Sequence, residues 1–266
     1  MIDKLRSRLV YLGAFRFATS HPDKLRVLVA SLIIQVPKGI RNRARFIDAL
    51  ASWVIRGVQM EGLGALFYID ALNNLKHIQT FYEAEIQDWF KIREDEIFVD
   101  IGANIGRYTV TLAKQCKKVY AFEPFPPTHR YLVRNIFAND LYNVEEYQVA
   151  LWDKEETVTF HVKNSSGINS VVESERTIYK IEVPAAPLDY FELDGMDLVK
   201  IDVEGAEREV LKGMTDSISI FHPRIIIESK LKNIVWISMF LASHGYTLAE
   251  SDLKPTYANL FFTPQR

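Results

Sequence analysis

Carboxylates stand at the ends of four apolar runs in this sequence. They are Asp100 after IFV, Glu123 after KVYAF, Asp202 and Glu204 after DLVKI, and Glu228 after RIII. In an open parallel sheet the carboxyl ends of the strands meet at one edge, and ligands bind there. We therefore expect these acids to surround one bound ligand.

The first acid precedes a glycine turn, VDIGANIG at residues 99–106, with Gly102 and Gly106 on either side of Asn104. This is not the dinucleotide motif G-x-G-x-x-G, because Asn104 stands where that motif has its second glycine. A helix start offers free N–H groups to a carboxylate, while Asp100 attracts a cation. A ligand that has both a carboxylate and an amine, such as S-adenosylmethionine, fits this turn better than NAD does.

Glu123 lies 23 residues after Asp100, at the end of the next apolar run. A carboxylate at that position can accept hydrogen bonds from the hydroxyls of a ribose. NAD enzymes use the same device, so this residue is informative only together with the turn at residues 99–106. The combination favours an adenosine ligand held by its methionyl end.

The later acids, Asp202, Glu204 and Glu228, are candidates for work on a second substrate. Like charges at neighbouring strand ends raise the pKa of at least one member, which makes a competent base for a hydroxyl. The same acids would suit the hydroxyls of a sugar, or a divalent cation, which the pattern allows but does not indicate. The six histidines and the single Cys116 have no metal-ligand spacing, so we assign no metal ligand.

Strand and helix patterns alternate from residue 96 onward and predict an α/β fold with a parallel sheet covered on both faces. We place strands at residues 96–101, 118–122, 145–151, 196–202, 224–228, 246–250 and 258–262, and helices at 105–115, 127–138, 205–212 and 233–243. Residues 157–183 interrupt the alternation and read as an extra strand pair around a polar loop, residues 164–170. The first ninety residues read as mostly helical, with a turn near the glycines of residues 61–70.

Three segments, VDIGANIGRYT, FEP and VKIDVEGAEREVLKG, resemble the FkbM-type family of S-adenosylmethionine-dependent methyltransferases. The resemblance extends over about residues 80–262. It implies a class I methyltransferase fold, which is Rossmann-like and has a seven-stranded, mostly parallel sheet whose last strand is antiparallel. It also implies O-methylation, often of a sugar or polyketide-like hydroxyl, with S-adenosyl-L-methionine as the donor. The resemblance does not identify the acceptor, because members of this family differ widely in the acceptor that they methylate.

The resemblance also assigns roles to individual residues. It places Asp100, Gly102, Asn104 and Gly106 along the methionyl part of the donor, Glu123 at the ribose, Ala150, Leu151 and Trp152 near the adenine, Asp202 and Glu204 facing the methyl group, and Glu228 and Asn169 at the acceptor mouth.

The chain divides by charge into a basic head and an acidic body. Residues 1–56 contain eleven Lys or Arg and three acids, a charge of +8, whereas residues 57–266 have a charge of −10. We expect residues 1–80 to form a basic helical extension and residues 81–266 the methyltransferase domain. The head would either cover the acceptor cleft or dock on an anionic membrane surface. A nucleic-acid partner is not expected, because the head has no known motif and the body repels phosphate.

The longest apolar run and the cysteine content indicate where in the cell the protein is expected. The nearly apolar run at residues 25–36 is shorter than the roughly 20 residues that a bilayer span needs, and it predicts a packed or interfacial helix. Having one cysteine excludes an intrachain disulfide and favours a reducing compartment. We expect a cytoplasmic protein, peripheral at the membrane if the head docks there. The sequence does not indicate the oligomeric state.

Two other functional interpretations remain open from the residues alone. One is an NAD(P)-dependent oxidoreductase on a related sheet, which Asn104 disfavours. The other is a non-catalytic, methyltransferase-like adaptor with a membrane- or polyanion-binding head. The acids at the strand ends argue against a dead site. Among the aromatic residues, Trp53, Trp89 and Trp236 match apolar helical stripes and are predicted to lie in the core.

Overall fold

The computed structural model describes residues 14–33, 44–69, 74–79, 82–162 and 177–265. The polar loop at residues 164–170, and with it Asn169, lies outside the described residues.

The N-terminal part combines helices with one β-hairpin. Its elements are the helices α1 (His21–Ile33) and α2 (Ala44–Ile55), the antiparallel strands β1 (Gln59–Gly62) and β2 (Ala65–Tyr68), the single-turn helix α3 (Asn74–His77) and a 3-10 helix at Ala84–Phe90. The turn expected near residues 61–70 is therefore the tip of a hairpin. None of the helices in these described stretches is long and apolar enough to cross a bilayer.

The remainder of the chain builds the α/β fold. Its strands are β3 (Ile97–Ile101), β4 (Lys118–Phe122), β5 (Val144–Tyr147), β6 (Ala150–Leu151), β7 (Glu156–Val162), β8 (Tyr179–Ala186), β9 (Leu198–Ile201), β10 (Arg224–Lys230), β11 (Tyr246–Leu253) and β12 (Tyr257–Pro264). Its helices are α4 (Arg107–Ala113), α5 (Pro126–Ala138), α6 (Glu207–Lys212), α7 (Thr215–Phe221) and α8 (Ile234–Ser243).

Seven strands form the central sheet, in the order β11-β12-β10-β9-β3-β4-β5. The pairs from β10 to β5 are parallel, and β12 runs antiparallel to both of its neighbours. This is the seven-stranded, mostly parallel sheet with an antiparallel last strand that was predicted. All five residues of β3 are buried, as expected for a strand covered on both faces.

The single strand expected at residues 145–151 is wrong, because the chain leaves the main sheet after Tyr147. Ala150 and Leu151 pair with β8 instead, in a small sheet of order β6-β8-β7. The predicted extra strand pair is confirmed, since β7 and β8 run antiparallel over seven residue pairs. The switch of sheets carries residues 150–151 toward the end of β4, where the adenine was expected.

The hairpin is joined to α5 by two asparagine side chains. The Asn135 Oδ1 accepts from the Tyr68 N–H (2.6 Å), and its Nδ2 donates to the Tyr68 carbonyl (3.1 Å). Asn139 makes the same pair of bonds with Leu66, at 2.9 and 2.7 Å. Each side-chain amide thus makes the two hydrogen bonds with the β2 backbone that a neighbouring strand would otherwise make. Hydrophobic residues of the head and of the sheet domain share one core here.

The prediction that three tryptophans lie in the core fails for Trp53. Trp89 is 4% exposed and Trp236 packs against the central core, but Trp53 at the end of α2 is 69% exposed. Helical spacing put Trp53 on an apolar stripe, but α2 buries Ala51 and Ile55 and leaves Trp53 facing outward.

Candidate active site

Four of the five acids at the strand ends, Asp100, Asp202, Glu204 and Glu228, line one cavity of about 540 Å³, called the acidic cavity below. Its described wall includes Glu83, Asp100, Asp202, Glu204, Glu207 and Glu228, together with the basic residues Arg107, Lys200 and Lys230. Asp100 and Lys200 lie opposite each other in adjacent strands β3 and β9. The excess of carboxylates gives the cavity a potential that attracts a cation.

Three of these carboxylates form a close group. Oxygen atoms of Asp202, Glu204 and Glu228 all lie within 4.8 Å of one another. Burial raises the pKa of the Glu228 carboxyl well above its ordinary value, and the neighbouring Asp202 raises it further. Such a group can hold a proton, the hydroxyls of a sugar or a divalent cation. Among the residues described, it is the one group of acids placed to hold a metal ion.

Lys200 stabilises this group from inside the strand. Its side chain is 6% exposed, and its Nζ lies 2.8 Å from the Asp202 Oδ2. Burial lowers the pKa of the Lys200 ammonium, but the carboxylates of Asp202 and Asp100 outweigh this effect and hold the pKa above its ordinary value. The lysine therefore stays charged, and it forms an ion pair with Asp202 in the wall of the cavity.

The glycine turn brings the backbone of β3 against that of β9. Gly102 has φ +83, and a Cβ at this position would lie 1.9 Å from the Asp202 carbonyl oxygen. The N–H groups of Gly102 and Ala103 both donate to the Phe122 carbonyl, which fixes the turn on β4. Gly106, with φ +89, directly precedes α4. Only glycine fits at residue 102, because any side chain would displace the Asp202 backbone.

Asp100 is buried beneath this turn, and its two carboxylate oxygens differ in their hydrogen bonding. Its Oδ2 accepts from the backbone N–H and the hydroxyl of Thr109, at 3.0 and 2.6 Å. Its Oδ1 has no hydrogen-bond partner in the described part of the chain, although the side chain is 1% exposed. An unpaired buried carboxylate oxygen at a cavity wall is costly unless a donor group from a ligand completes it.

Glu123 lies on the other side of the turn. Its Oε2 accepts from the Asn104 N–H (3.0 Å) and its Oε1 from the Phe125 N–H (2.9 Å), so the carboxylate is held in one orientation. It lines a second, smaller cleft of about 50 Å³ with Ala150, Leu151 and other mostly apolar residues. The mostly apolar lining of this small cleft suits an adenine ring.

Trp152 is placed differently from Ala150 and Leu151. Its N–H donates to the Ala186 carbonyl (3.0 Å), and its own carbonyl packs so closely on Gly213 that a Cβ there would lie 1.9 Å away. Its backbone therefore joins the small sheet to the end of α6, next to the small cleft.

Glu207 takes the local structural role that its position in the motif allowed. Its Oε1 accepts from the Gly205 N–H (2.6 Å), and its Oε2 accepts from the Asn233 side-chain amide (2.9 Å). The side chain is 1% exposed. It therefore stabilises the turn that carries Glu204.

Sequence reasoning missed the residues that reach the acidic cavity from outside the motifs. They are His77, Tyr82, Glu83, Thr256 and Tyr257. Tyr108 also lines the cavity; it lies within the segment VDIGANIGRYT, but the motif gave it no role. The 3-10 helix begins only at Ala84, so Tyr82 and Glu83 lie in the turn before it. Tyr108 donates to the Glu83 carboxylate, and Arg107 donates to the Tyr82 carbonyl (2.7 Å).

Residues with a strained backbone also line the acidic cavity, and the sequence did not predict this strain. Six residues other than glycine have positive φ in the described chain, and three of them line the acidic cavity: Glu83 (φ 53), Asn104 (φ 53) and Glu204 (φ 56). Residues held in this conformation cluster at functional sites, where the surrounding structure compensates for the strain.

The sheet order and the glycine turn at its open edge define a class I methyltransferase. The chain belongs to the FkbM methyltransferase family, since the model of the "Methyltransferase FkbM domain" matches residues 100–248. The resemblance identified in the sequence and its donor, S-adenosylmethionine, are thereby confirmed, in preference to a nicotinamide cofactor. The residues present fit this donor, because Asp100 has an unpaired oxygen for its ammonium and the small cleft suits its adenine.

Two methyltransferases are similar in sequence to more than half of this chain. Methyltransferase 1 of Beauveria bassiana is 25% identical over 184 residues, which cover 59% of this chain and 74% of that protein. The hexuronic acid methyltransferase AglP of Haloferax volcanii is 28% identical over 192 residues, covering 67% and 78%.

A solved structure shows the same fold. Methyltransferase FkbM from Methylobacillus flagellatus KT superposes with a TM-score of 0.51 at 14% identity, covering 98% of this chain. This chain spans 60% of the length of that protein.

Proposed function

We propose that this chain transfers a methyl group from S-adenosylmethionine to a hydroxyl of a sugar or another polyhydroxylated acceptor. The observation that carries the proposal is the group formed by Asp202, Glu204 and Glu228 on the wall of the acidic cavity. Paired carboxylates are the usual protein ligands of sugar hydroxyls. The name of the Haloferax volcanii relative, a hexuronic acid methyltransferase, supports a sugar as acceptor class.

The donor would lie across the glycine turn. Asp100 would pair with its ammonium, and the turn at residues 102–106 would leave space for its methionyl part. Glu123 would accept from the ribose, while Ala150 and Leu151, with Trp152 beside them, would contact the adenine. When bound, this donor supplies an electrophilic methyl group on a positively charged sulfur. The carboxylates of the acidic cavity would stabilise that charge.

The acceptor would enter on the side of Asp202. With the Lys200 Nζ 2.8 Å away, the Asp202 side chain would accept a hydrogen bond from the reacting hydroxyl. It would take the hydroxyl proton as the new carbon–oxygen bond forms and the methyl–sulfur bond of the donor breaks, which leaves the donor as a neutral thioether. Glu228, whose pKa is raised, stays protonated at neutral pH and donates to a neighbouring oxygen of the acceptor. Glu204 completes the group. Orientation of the hydroxyl by these side chains supplies much of the rate enhancement.

The test is an acceptor screen over free and lipid-linked sugars with labelled donor, followed by kinetics of the Asp202→Asn variant. We expect turnover to fall about 10²- to 10⁴-fold because the amide cannot take a proton, while donor affinity by calorimetry stays within about threefold. Glu209→Gln, at an acid outside the cavity, serves as the matched control and should keep full turnover. A variant at Asp202 with normal turnover would contradict the assignment.

Two further outcomes distinguish the alternatives. A chelator should leave turnover unchanged, and its loss together with rescue by a divalent cation would show that the three carboxylates hold a metal. Donor binding without turnover on any acceptor would favour the adaptor interpretation over an enzyme.

A further inference from the structure

The outer face of α1 is apolar where a soluble helix is normally polar. Leu25, Leu28, Val29 and Leu32 form one stripe, called the α1 face below, with exposed fractions of 61%, 37%, 38% and 55%. The opposite side of the helix packs inward with small residues, among them Ala30 and Ser31, both fully buried. The helix thus exposes its larger aliphatic side chains and buries smaller ones. Contiguous exposed apolar surface of this kind marks an interaction site.

An exposed tryptophan lies at the end of the neighbouring helix. The Arg26 guanidinium donates to the Val54 carbonyl (2.8 Å) and the Arg56 carbonyl (2.8 Å), which ties α1 to the end of α2. Trp53, 69% exposed, lines a shallow depression there with Arg26, Val54 and Arg56. Tryptophan next to arginine is typical of side chains that lie at a membrane–water interface.

The charge of this region points to an anionic partner. Residues 1–56 have a charge of +8 and the rest of the chain −10. A second copy of the chain would bring two basic heads together across this face, and their charges would repel. The surface of an anionic lipid bilayer has the opposite sign and attracts basic segments electrostatically.

We propose that the α1 face, together with Trp53, docks the protein on an anionic lipid bilayer. The apolar side chains enter the interface between headgroups and acyl chains, and the positive charge of residues 1–56 attracts the protein to anionic headgroups. This contact is peripheral and reversible, because binding by one short apolar face is weak without the added electrostatic attraction. The proposal stands independently of the acceptor.

The test is flotation of the full chain with vesicles of phosphatidylcholine, with and without phosphatidylglycerol, at about 0.05 M and about 0.5 M salt. We expect binding to the anionic vesicles at low salt and a fall of at least about fivefold at high salt. The variant Leu25→Ser/Leu28→Ser/Leu32→Ser should lose binding by at least about tenfold. Unchanged donor affinity and circular dichroism would show that the variant is folded.

The matched control removes apolar surface of similar exposure elsewhere. Val235 and Met239 on α8 are 70% and 68% exposed, so Val235→Ser/Met239→Ser tests whether exposed apolar surface alone causes binding. This control should bind vesicles as the wild type does. Lack of flotation at both salt concentrations, or an equal loss in the control, would overturn the proposal. Light scattering that shows a dimer, which the leucine variant converts to a monomer, would assign the α1 face to a second copy instead.

Discussion

The small cleft and the acidic cavity lie on either side of Gly102, and they are built in opposite ways. The small cleft is formed by residues of β4, β6 and their turns, and its one carboxylate, Glu123, is fixed by two backbone N–H groups. The acidic cavity is about ten times larger and is lined by charged side chains and strained turns. The first region is mostly apolar, whereas the second is lined largely by polar and charged side chains.

This difference separates two kinds of recognition. Under the proposed function, the small cleft, the glycine turn and the adjoining Asp100 hold the donor, which is the same ligand in every relative. Half-exposed side chains from several chain segments can be exchanged without disturbing the sheet, which suits an acceptor that differs among relatives. A variant that affects only one region should therefore leave the other intact.

The largest effect is expected where the two regions meet. In Gly102→Ala, the new Cβ would displace the Asp202 backbone, and an alanine at φ +83 is strained. We expect the free energy of unfolding to fall by about 3 kcal/mol or more and donor binding to be lost. Urea unfolding and calorimetry would measure both. Gly64→Ala, with φ +72 and open space around it, is the control and should cost about 1 kcal/mol. Equal losses in both variants would show that strain alone, not contact with Asp202, is responsible.

An intermediate effect is expected for Asp100→Asn. The amide can keep an oxygen toward Thr109, but it then presents an NH₂ group where the donor's ammonium needs an acceptor. Donor affinity should fall by about tenfold to a hundredfold, as for the loss of a charged hydrogen bond. Isothermal calorimetry would measure it, with the exposed Asp95→Asn as the control. Unchanged affinity would remove Asp100 from the donor contacts.

The smallest effect is expected for Glu228→Gln, and it concerns stability. Because the pKa of Glu228 is raised in the folded protein, the folded state keeps a proton that the unfolded chain loses above about pH 4.3. The contribution of this group to stability is therefore full below that pH, and it is lost as pH rises through the raised pKa. The variant has no such dependence and should exceed the wild type by about 1–2 kcal/mol at neutral pH. Parallel unfolding curves from pH 4 to pH 8 would contradict this.

Much of the fold could be predicted from the sequence, because the inner strands β3, β4, β9 and β10 are short, apolar and mostly buried. The break after Tyr147 could not, since it depends on pairing with β8 far along the chain. The residues that we propose for the donor lie within short motifs, so the sequence alone predicts Asp100 and Glu123. Glu83 and Tyr257 reach the acidic cavity only through tertiary packing, and no periodicity reveals that. Trp53 was wrongly placed for a similar reason. Helical spacing shows which residues share a face of the helix, but it does not show which face packs against the rest of the protein.

The hydrogen bonds that the Asn135 and Asn139 side chains make with β2 have a consequence for any attempt to shorten the protein. A chain beginning at residue 81 would leave the side-chain amide of Asn135, now fully buried, without its strand partner, and would bare Ile105 and Val110 beneath it. Such a fragment would expose apolar surface directly behind the glycine turn. The hairpin is therefore a structural support of the glycine turn, and efforts to crystallise or redesign the α/β part of the chain should retain it.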